Sequence, residues 1–199
     1  MRRLGLMVLA TGGFACGGSD VTGPGDFSFT FDDPIGDTAS VQTGTGAIDL
    51  VQLNGTVGPI TLLFRLTFSR QVTPWSEHKT NALDGFLDLD LDRNPGTGLS
   101  GAALAGGGLD SLDLGADAYV DLRDNGHGQV GLLMPSTSGQ ALTLVSARFD
   151  GAHVTIEIPR TALKGFIADS LWAGAVVGSR DLSITDIAPN TGHFEIGRP

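Results

Sequence analysis

Residues 84–98 read DGFLDLDLDRNPGTG. Leu87, Leu89 and Leu91 alternate with Asp88, Asp90 and Asp92. Successive side chains of a strand point to opposite faces of its sheet, so one face of this stretch is apolar and the other is all carboxylate. The period predicts a half-buried β-strand, in which each leucine contributes about 1.5–3 kcal/mol on burial. Asn94, Pro95, Gly96 and Gly98 then end it in a tight loop, because Asn bonds its own backbone, Pro fixes φ and Gly accepts positive φ.

The carboxylates run straight into that loop. Residues i and i+2 of a strand lie about 7 Å apart, which lets two aspartates lean onto one hard cation with oxygen ligands at about 2.3–2.6 Å. Three along a straight strand are too spread. A calcium ion is therefore expected at the turn, held by Asp90, Asp92 and the Asn94 amide or a loop carbonyl, with Asp117 of the next acidic strand as a cross-strand partner. The competing reading is a solvated acidic face. Two carboxylates about 7 Å apart repel by about 0.6 kcal/mol in water and about 2.4 kcal/mol at an effective dielectric of 20, so repulsion alone does not demand an ion. The stretch is not an EF-hand: Leu89, Leu91 and Arg93 fill the intervening positions, and neither the loop glycine nor the closing glutamate is in register.

The same alternation recurs along the chain. Phe27, Phe29 and Phe31 mark a first strand, closed by an acidic turn through Asp32, Asp33 and Asp37. A strand over 47–53 is expected to lead through an Asn54-Gly55 turn into the most apolar strand, 60–68, with Ile60, Leu62, Phe64, Leu66 and Phe68 on one face. Further strands are expected over 116–122, 129–134, 141–149, 153–158, 171–177 and 192–196. Asp124-Asn125-Gly126 and Asp150-Gly151 are turns, and 159–164 is one helical turn with Pro159 near its start. Residues 100–108 are small and glycine-rich, without the Lys-Ser/Thr ending of a phosphate loop, and read as a long connection. With 30 glycines and few long charged side chains, the composition favours short strands and turns over helices. The expected fold is all-β, an antiparallel β-sandwich of jelly-roll or immunoglobulin-like arrangement with about nine strands and little helix.

Arg2 and Arg3, the apolar stretch 4–10 and the small residues up to Ala15 have the layout of a secretory signal. Ala15 before Cys16 resembles the cleavage box of bacterial lipoproteins, departing from it at Gly13 and at the bulky Phe14. Cys16 is the only cysteine of the chain, and lipidation would explain one unpaired thiol in an exported protein. The alternative is a plain secreted protein. Gly17 lacks the aspartate that, in the resembling lipoproteins, retains the product at the inner membrane, which implies an outer-membrane or cell-surface address. Residues 1–16 are thus expected to be a lipoprotein-type signal peptide, 17–26 (GGSDVTGPGD) a flexible tether, and 27–199 a single domain. Away from the N-terminus no apolar run of about 18 residues suggests a membrane span.

Twelve Lys and Arg, two of them in the leader, face 22 acidic residues, so the mature chain is strongly acidic and nucleic acid is a poor partner. G-x-S-x-G and H-E-x-x-H are absent. His78, His127, His153 and His193 occur singly and read as isolated surface residues. A zinc site would need several of them to converge. Glu157, between Ile156 and Ile158, reads as a solvated strand position. Acidic pairs are plentiful, so a hydrolase using paired carboxylates is an alternative, but pairs alone do not single out a catalytic one. Sugar binding on β-sandwiches uses exposed aromatic faces. Trp75, in a loop beside Pro74, is the candidate ligand contact, whereas Trp172 lies in an apolar strand and reads as core.

Taken together, the Asp33-Pro34 and Gly36-Asp37-Thr38 turn, FLDLDLDRNPGTG at 86–98, GADAYVDL at 115–122 and FDGAHVTIEIPRTAL at 149–163 resemble bacterial exported domains related to family 9 carbohydrate-binding modules and the wider DOMON-like group. Domains of that group bind sugars or haem, and calcium often has a structural role. No haem-ligand pattern carries over to Met134 or the histidines. The resemblance implies the β-sandwich fold first; with the export signal, the expectation is a cell-surface binding protein with a glycan as the leading ligand class. The alternative to a binder is a scaffold lipoprotein with no small ligand.

Overall fold

The structure, a computed structural model, describes residues 27–38, 47–100, 112–136, 139–166, 169–180 and 183–198. The segments read as signal peptide and tether, Cys16 among them, and most of the glycine-rich connection after Ser100 lie outside the described residues. The fold is all-β. The described residues form thirteen strands: β1 (Phe27–Asp32), β2 (Leu50–Val57), β3 (Thr61–Phe68), β4 (Leu83–Asp90), β5 (Leu99–Ser100), β6 (Gly115–Ala116), β7 (Ala118–Asp121), β8 (Gln129–Ser136), β9 (Gly139–Asp150), β10 (His153–Pro159), β11 (Leu171–Ser179), β12 (Ser183–Ala188) and β13 (Phe194–Ile196). Among the described residues the only helical pieces are two 3-10 turns, Trp75–Glu77 and Arg160–Ala162, the second following Pro159 as the sequence predicts.

Eleven strands make one antiparallel sheet in the order β1-β2-β3-β10-β9-β8-β7-β4-β11-β12, with β13 continuing alongside β11, while β5 and β6 pair separately. The sheet curls so that one face encloses a continuous apolar core, to which Phe64, Leu66, Leu87, Leu89, Leu132 and Ile156 contribute fully buried side chains. Its two ends meet. Phe31 of β1 stacks on Phe194 of β13 with ring centroids 5.0 Å apart. Thr185 and Asp186 of β12 accept from the backbone N–H groups of Ile48 and Leu50 at 3.1 and 2.8 Å.

Four expectations need correction. Asn54 and Gly55 are not a turn; they lie inside β2, paired with Arg65 and Phe64. A Cβ on Gly55 would stand 1.9 Å from the Leu63 carbonyl oxygen and 2.8 Å from the Phe29 ring, so the glycine is there to let the neighbouring chain and ring approach. Ile60 is exposed at the true turn, where the Gly58 N–H bonds Thr61, and the buried face begins at Leu62. The third concerns β4. It is not half-buried, for Asp88 and Asp90 are as completely enclosed as Leu87 and Leu89.

The roof over the acidic face comes from residues 112–116. Leu112 and Leu114 pack with Val176 as a small second apolar cluster, flanked by Trp172, Ile184 and Ile187, on the side of β11 away from the main core. Gly174, which pairs with Asp88, leaves the space these leucines fill: a Cβ there would lie 2.9 Å from Leu114 and 3.0 Å from Leu112. Trp172 therefore belongs to the roofed outer face, half-buried and stacked on His193 with centroids 3.8 Å apart, and not to the main core.

Candidate metal centre

Asp90 is the last residue of β4, and the chain turns immediately after Leu91. Asp117 sits between β6 and β7 and is pinned to β4 at both of its ends: its N–H donates to the Leu89 carbonyl at 2.9 Å, and its carboxylate accepts from the Leu91 and Asp92 N–H groups at 3.0 and 3.3 Å. Oxygens of Asp90, Asp92 and Asp117 all lie within 4.8 Å of one another. Ligands on opposite sides of a calcium ion are at most about 5 Å apart, so the three fit the shell of one such ion.

The turn is built by its own carboxylates. The Asn94 N–H donates to both Asp90 and Asp92, at 3.1 and 3.0 Å, and the Thr97 hydroxyl bonds both oxygens of Asp92 at 3.0 Å. The Asn94 side chain is used elsewhere, since its Oδ1 accepts from the Gly96 N–H at 3.0 Å and so closes the turn. The expected ligand set is thus brought together at Asp90, Asp92 and Asp117, while Asn94 contributes its backbone N–H to two of them. Gly115 makes the closure sterically possible. Its N–H reaches Asp90 Oδ2 at 3.3 Å, and a Cβ on it would stand 2.0 Å from the Thr97 carbonyl oxygen and 2.6 Å from that of Asn94.

Burial is the largest influence on two of the three carboxyls. It raises the pKa of Asp90, an effect opposed by the backbone donors of Asn94, Gly115 and Arg93 and reinforced by a side-chain hydrogen bond with Asp92. It also raises that of Asp117, where the Leu91 N–H acts the other way and the charge of Asp92 adds to the rise. Asp92 is exposed, and with Asp117 it lines a surface cleft of about 300 Å³ shared with Leu91, Met134, Pro135, Lys164 and Gly165. That cleft opens onto Asp92 and Asp117 but not onto the enclosed Asp90. Lys164 stands on its wall, a basic neighbour that the sequence around the turn does not reveal.

The other candidates lie apart. Trp75 opens a 3-10 turn held by Asp124, whose carboxylate accepts from the Ser76 N–H and hydroxyl, both at 2.9 Å. Two guanidinium groups flank its ring, Arg180 at 5.1 Å and Arg123 at 5.9 Å from the centroid, so it belongs to a mixed aromatic and cationic surface. The histidines do not converge: His153 bonds the Thr67 hydroxyl, His193 bonds Asp113 at 2.6 Å, and His127 is exposed. Sequence reasoning passed over Asp49 and Asp186, which join Asp33 and Asp37 in a second acidic group. The signal for half of it, the acidic turn after β1, was visible; nothing local linked it to residues well over a hundred positions away.

No protein-family model matches this chain, and no curated protein matches it. Among the described residues no helix is long and apolar enough to cross a membrane.

Proposed function

We propose that the chain is an exported, lipid-anchored cell-surface β-domain with a binding role, stabilised by a calcium ion held by Asp90, Asp92 and Asp117. The observation that carries the calcium reading is the position of Asp117: a residue 25 places from Asp92 in sequence is bonded to the backbone of the turn through its own carboxylate. The oxygen-only donor set suits a hard cation. Filling the site would replace the mutual repulsion of three carboxylates by attraction to one ion and tie β4 to the β6–β7 segment. At a calcium concentration a hundredfold above Kd, stability would rise by about 2.7 kcal/mol. The test is thermal unfolding in EDTA and in millimolar calcium for the wild-type chain and for Asp92→Ala. Wild type should melt several degrees higher in calcium, and the variant should lose most of that gain; identical wild-type curves would return the three residues to a purely structural role.

The ligand class we assign is a glycan, and the surface we assign to it is Trp75 with Arg123 and Arg180. An aromatic face supports stacking against a sugar, and the Arg180 guanidinium beside it favours an acidic one, while that of Arg123 is already held by both oxygens of Asp121 at 2.9 Å. Retention on insoluble acidic polysaccharides should fall when Trp75→Ala replaces wild type. No retention of wild type on any glycan would favour the scaffold alternative.

A further inference from the structure

Four aspartates meet where the two ends of the curled sheet close on each other. Asp33 follows β1, Asp37 lies beyond the turn at residues 35–36, Asp49 immediately precedes β2, and Asp186 stands on β12. One oxygen each from Asp33, Asp37 and Asp186 falls within 4.8 Å of the others. Asp33, Asp49 and Asp186 are 5%, 4% and 1% exposed.

The hydrogen bonds inside this group leave a consistent remainder. Asp49 Oδ2 accepts from the Gly36 N–H at 3.1 Å, and Asp186 accepts from the N–H groups of Leu50 and Ile187, both at 2.8 Å. Asp37 Oδ2 accepts from the Asn190 amide. Asp33 Oδ2, Asp37 Oδ1 and Asp49 Oδ1 are enclosed and have no donor among the described residues. Three carboxylates thus each hold back one buried oxygen. A buried acceptor without a partner carries its full desolvation cost, which is larger for a charged group. The neighbouring charges worsen it: burial first, then Asp37, Asp186 and Asp49, push the Asp33 carboxyl up to about 7. The Asp186 carboxyl is pushed up to about 6 by burial and by Asp37 and Asp49, against the pull of its two backbone donors.

Protons could neutralise these groups singly, but a proton does not bridge three oxygens. A cation with ligands at about 2.3–2.6 Å does, and the oxygens of Asp33, Asp37 and Asp186 lie no farther apart than opposite ligands of one calcium ion. With oxygen donors only and neither histidine nor cysteine in the group, the donor chemistry selects a hard cation. We propose that Asp33, Asp37 and Asp186, with the carboxylate of Asp49 beside them, form a second calcium site, independent of the turn after β4, which clasps the turn after β1 to β12. Asp37, half-buried beside the exposed Asn190, is the side from which an ion enters.

The two sites can be told apart by titration. The EDTA-treated full chain is titrated calorimetrically with calcium chloride, alongside Asp33→Ala, Asp37→Ala and Asp92→Ala, and the melting temperature of each is recorded with and without calcium. Wild type should bind two equivalents, Asp33→Ala and Asp37→Ala should each lose one and keep the other, and Asp92→Ala should keep the one they lose. Asp37 is peripheral enough that its variant folds even where Asp33→Ala does not. If wild type binds a single equivalent, its loss in Asp37→Ala with retention in Asp92→Ala sustains this site and defeats the calcium reading of the turn; the opposite pattern overturns this site. Unaltered stoichiometry and calcium-induced melting shift in Asp37→Ala, or no calcium bound by wild type, also overturns it.

Discussion

The two acidic groups of this protein hold similar numbers of carboxylates and are built in opposite ways. At the turn after β4, Asp90 ends the strand and Asp92 follows two residues later in the turn, one member is exposed, and backbone and hydroxyl donors already contact all three carboxylates. At the closure of the sheet, Asp33 and Asp186 are brought together only because β12 folds back against the start of β2, and three buried oxygens have no donor among the described residues. The first group is a turn that an ion would reinforce. The second is a juncture that carries unbalanced charge unless an ion, or protons, relieve it. Local bonding balances the charge of the first cluster in part, whereas burial without donors leaves that of the second for an ion or protons to balance.

That contrast can be broken most directly by removing calcium. At pH 8, with calcium a hundredfold above both dissociation constants, occupation of two sites should stabilise the chain by about 5 kcal/mol relative to EDTA, which calorimetry would register as a fall in Tm of about 10 °C or more on chelation. A shift half as large, abolished by Asp92→Ala, would leave the turn as the sole site.

Asp88 serves as the control, since it is a buried carboxyl with neither oxygen hydrogen-bonded among the described residues and lies outside both groups. Burial alone pushes it from 3.8 up to about 7. The unfolded chain therefore releases this proton at lower pH than the folded one, and stability is lost as pH rises from about 4 through 7. The penalty, fully developed above pH 7, is about 4 kcal/mol. Asp88→Asn should be more stable than wild type by about that amount at pH 8 in EDTA, with the difference shrinking towards zero near pH 4 and calcium stoichiometry unchanged. Urea unfolding across that pH range checks it, and a pH-independent difference would remove desolvation as the cause.

Gly115→Ala should separate the groups from the other direction. Its Cβ collides with the Thr97 and Asn94 carbonyl oxygens, so the turn must open, at a cost of about 1–3 kcal/mol and with weaker calcium binding at Asp90 and Asp92 only. The smallest expected effect is at Asn94. Asn94→Ala removes the bond to the Gly96 N–H but no carboxylate, and should cost about 1 kcal/mol by denaturant unfolding while keeping the full calcium stoichiometry. Loss of an equivalent in this variant would restore its side chain to the ligand set.

The period-2 pattern located most strands because one face of each is apolar and meets the core: Leu62, Phe64 and Leu66 in β3, or Val154, Ile156 and Ile158 in β10, could lie only one way. It failed where the usual pattern is reversed. In β12 the polar Thr185 and Asp186 are buried and Ile184 and Ile187 are only partly so, because the first two bond the backbone around Ile48 and Leu50 while the isoleucines serve the smaller outer cluster. Gly55 misled for a related reason: glycine marks a turn in sequence, but it also marks a close approach, and only the ring of Phe29 distinguishes the two.

From the sequence alone came the all-β class, the apolar face of β4, the turn that ends it and the pairing of Asp90 with Asp92, all of which depend on residues within a few positions of one another. Tertiary structure decided the rest. It placed Leu112 and Leu114 over Asp88, swung Asp117 onto the backbone of the turn, and brought Asp186 to Asp33 and Asp37. Alternation states that a strand has two faces. What covers the second face, and therefore whether its carboxylates meet water or one another, depends on where distant segments return.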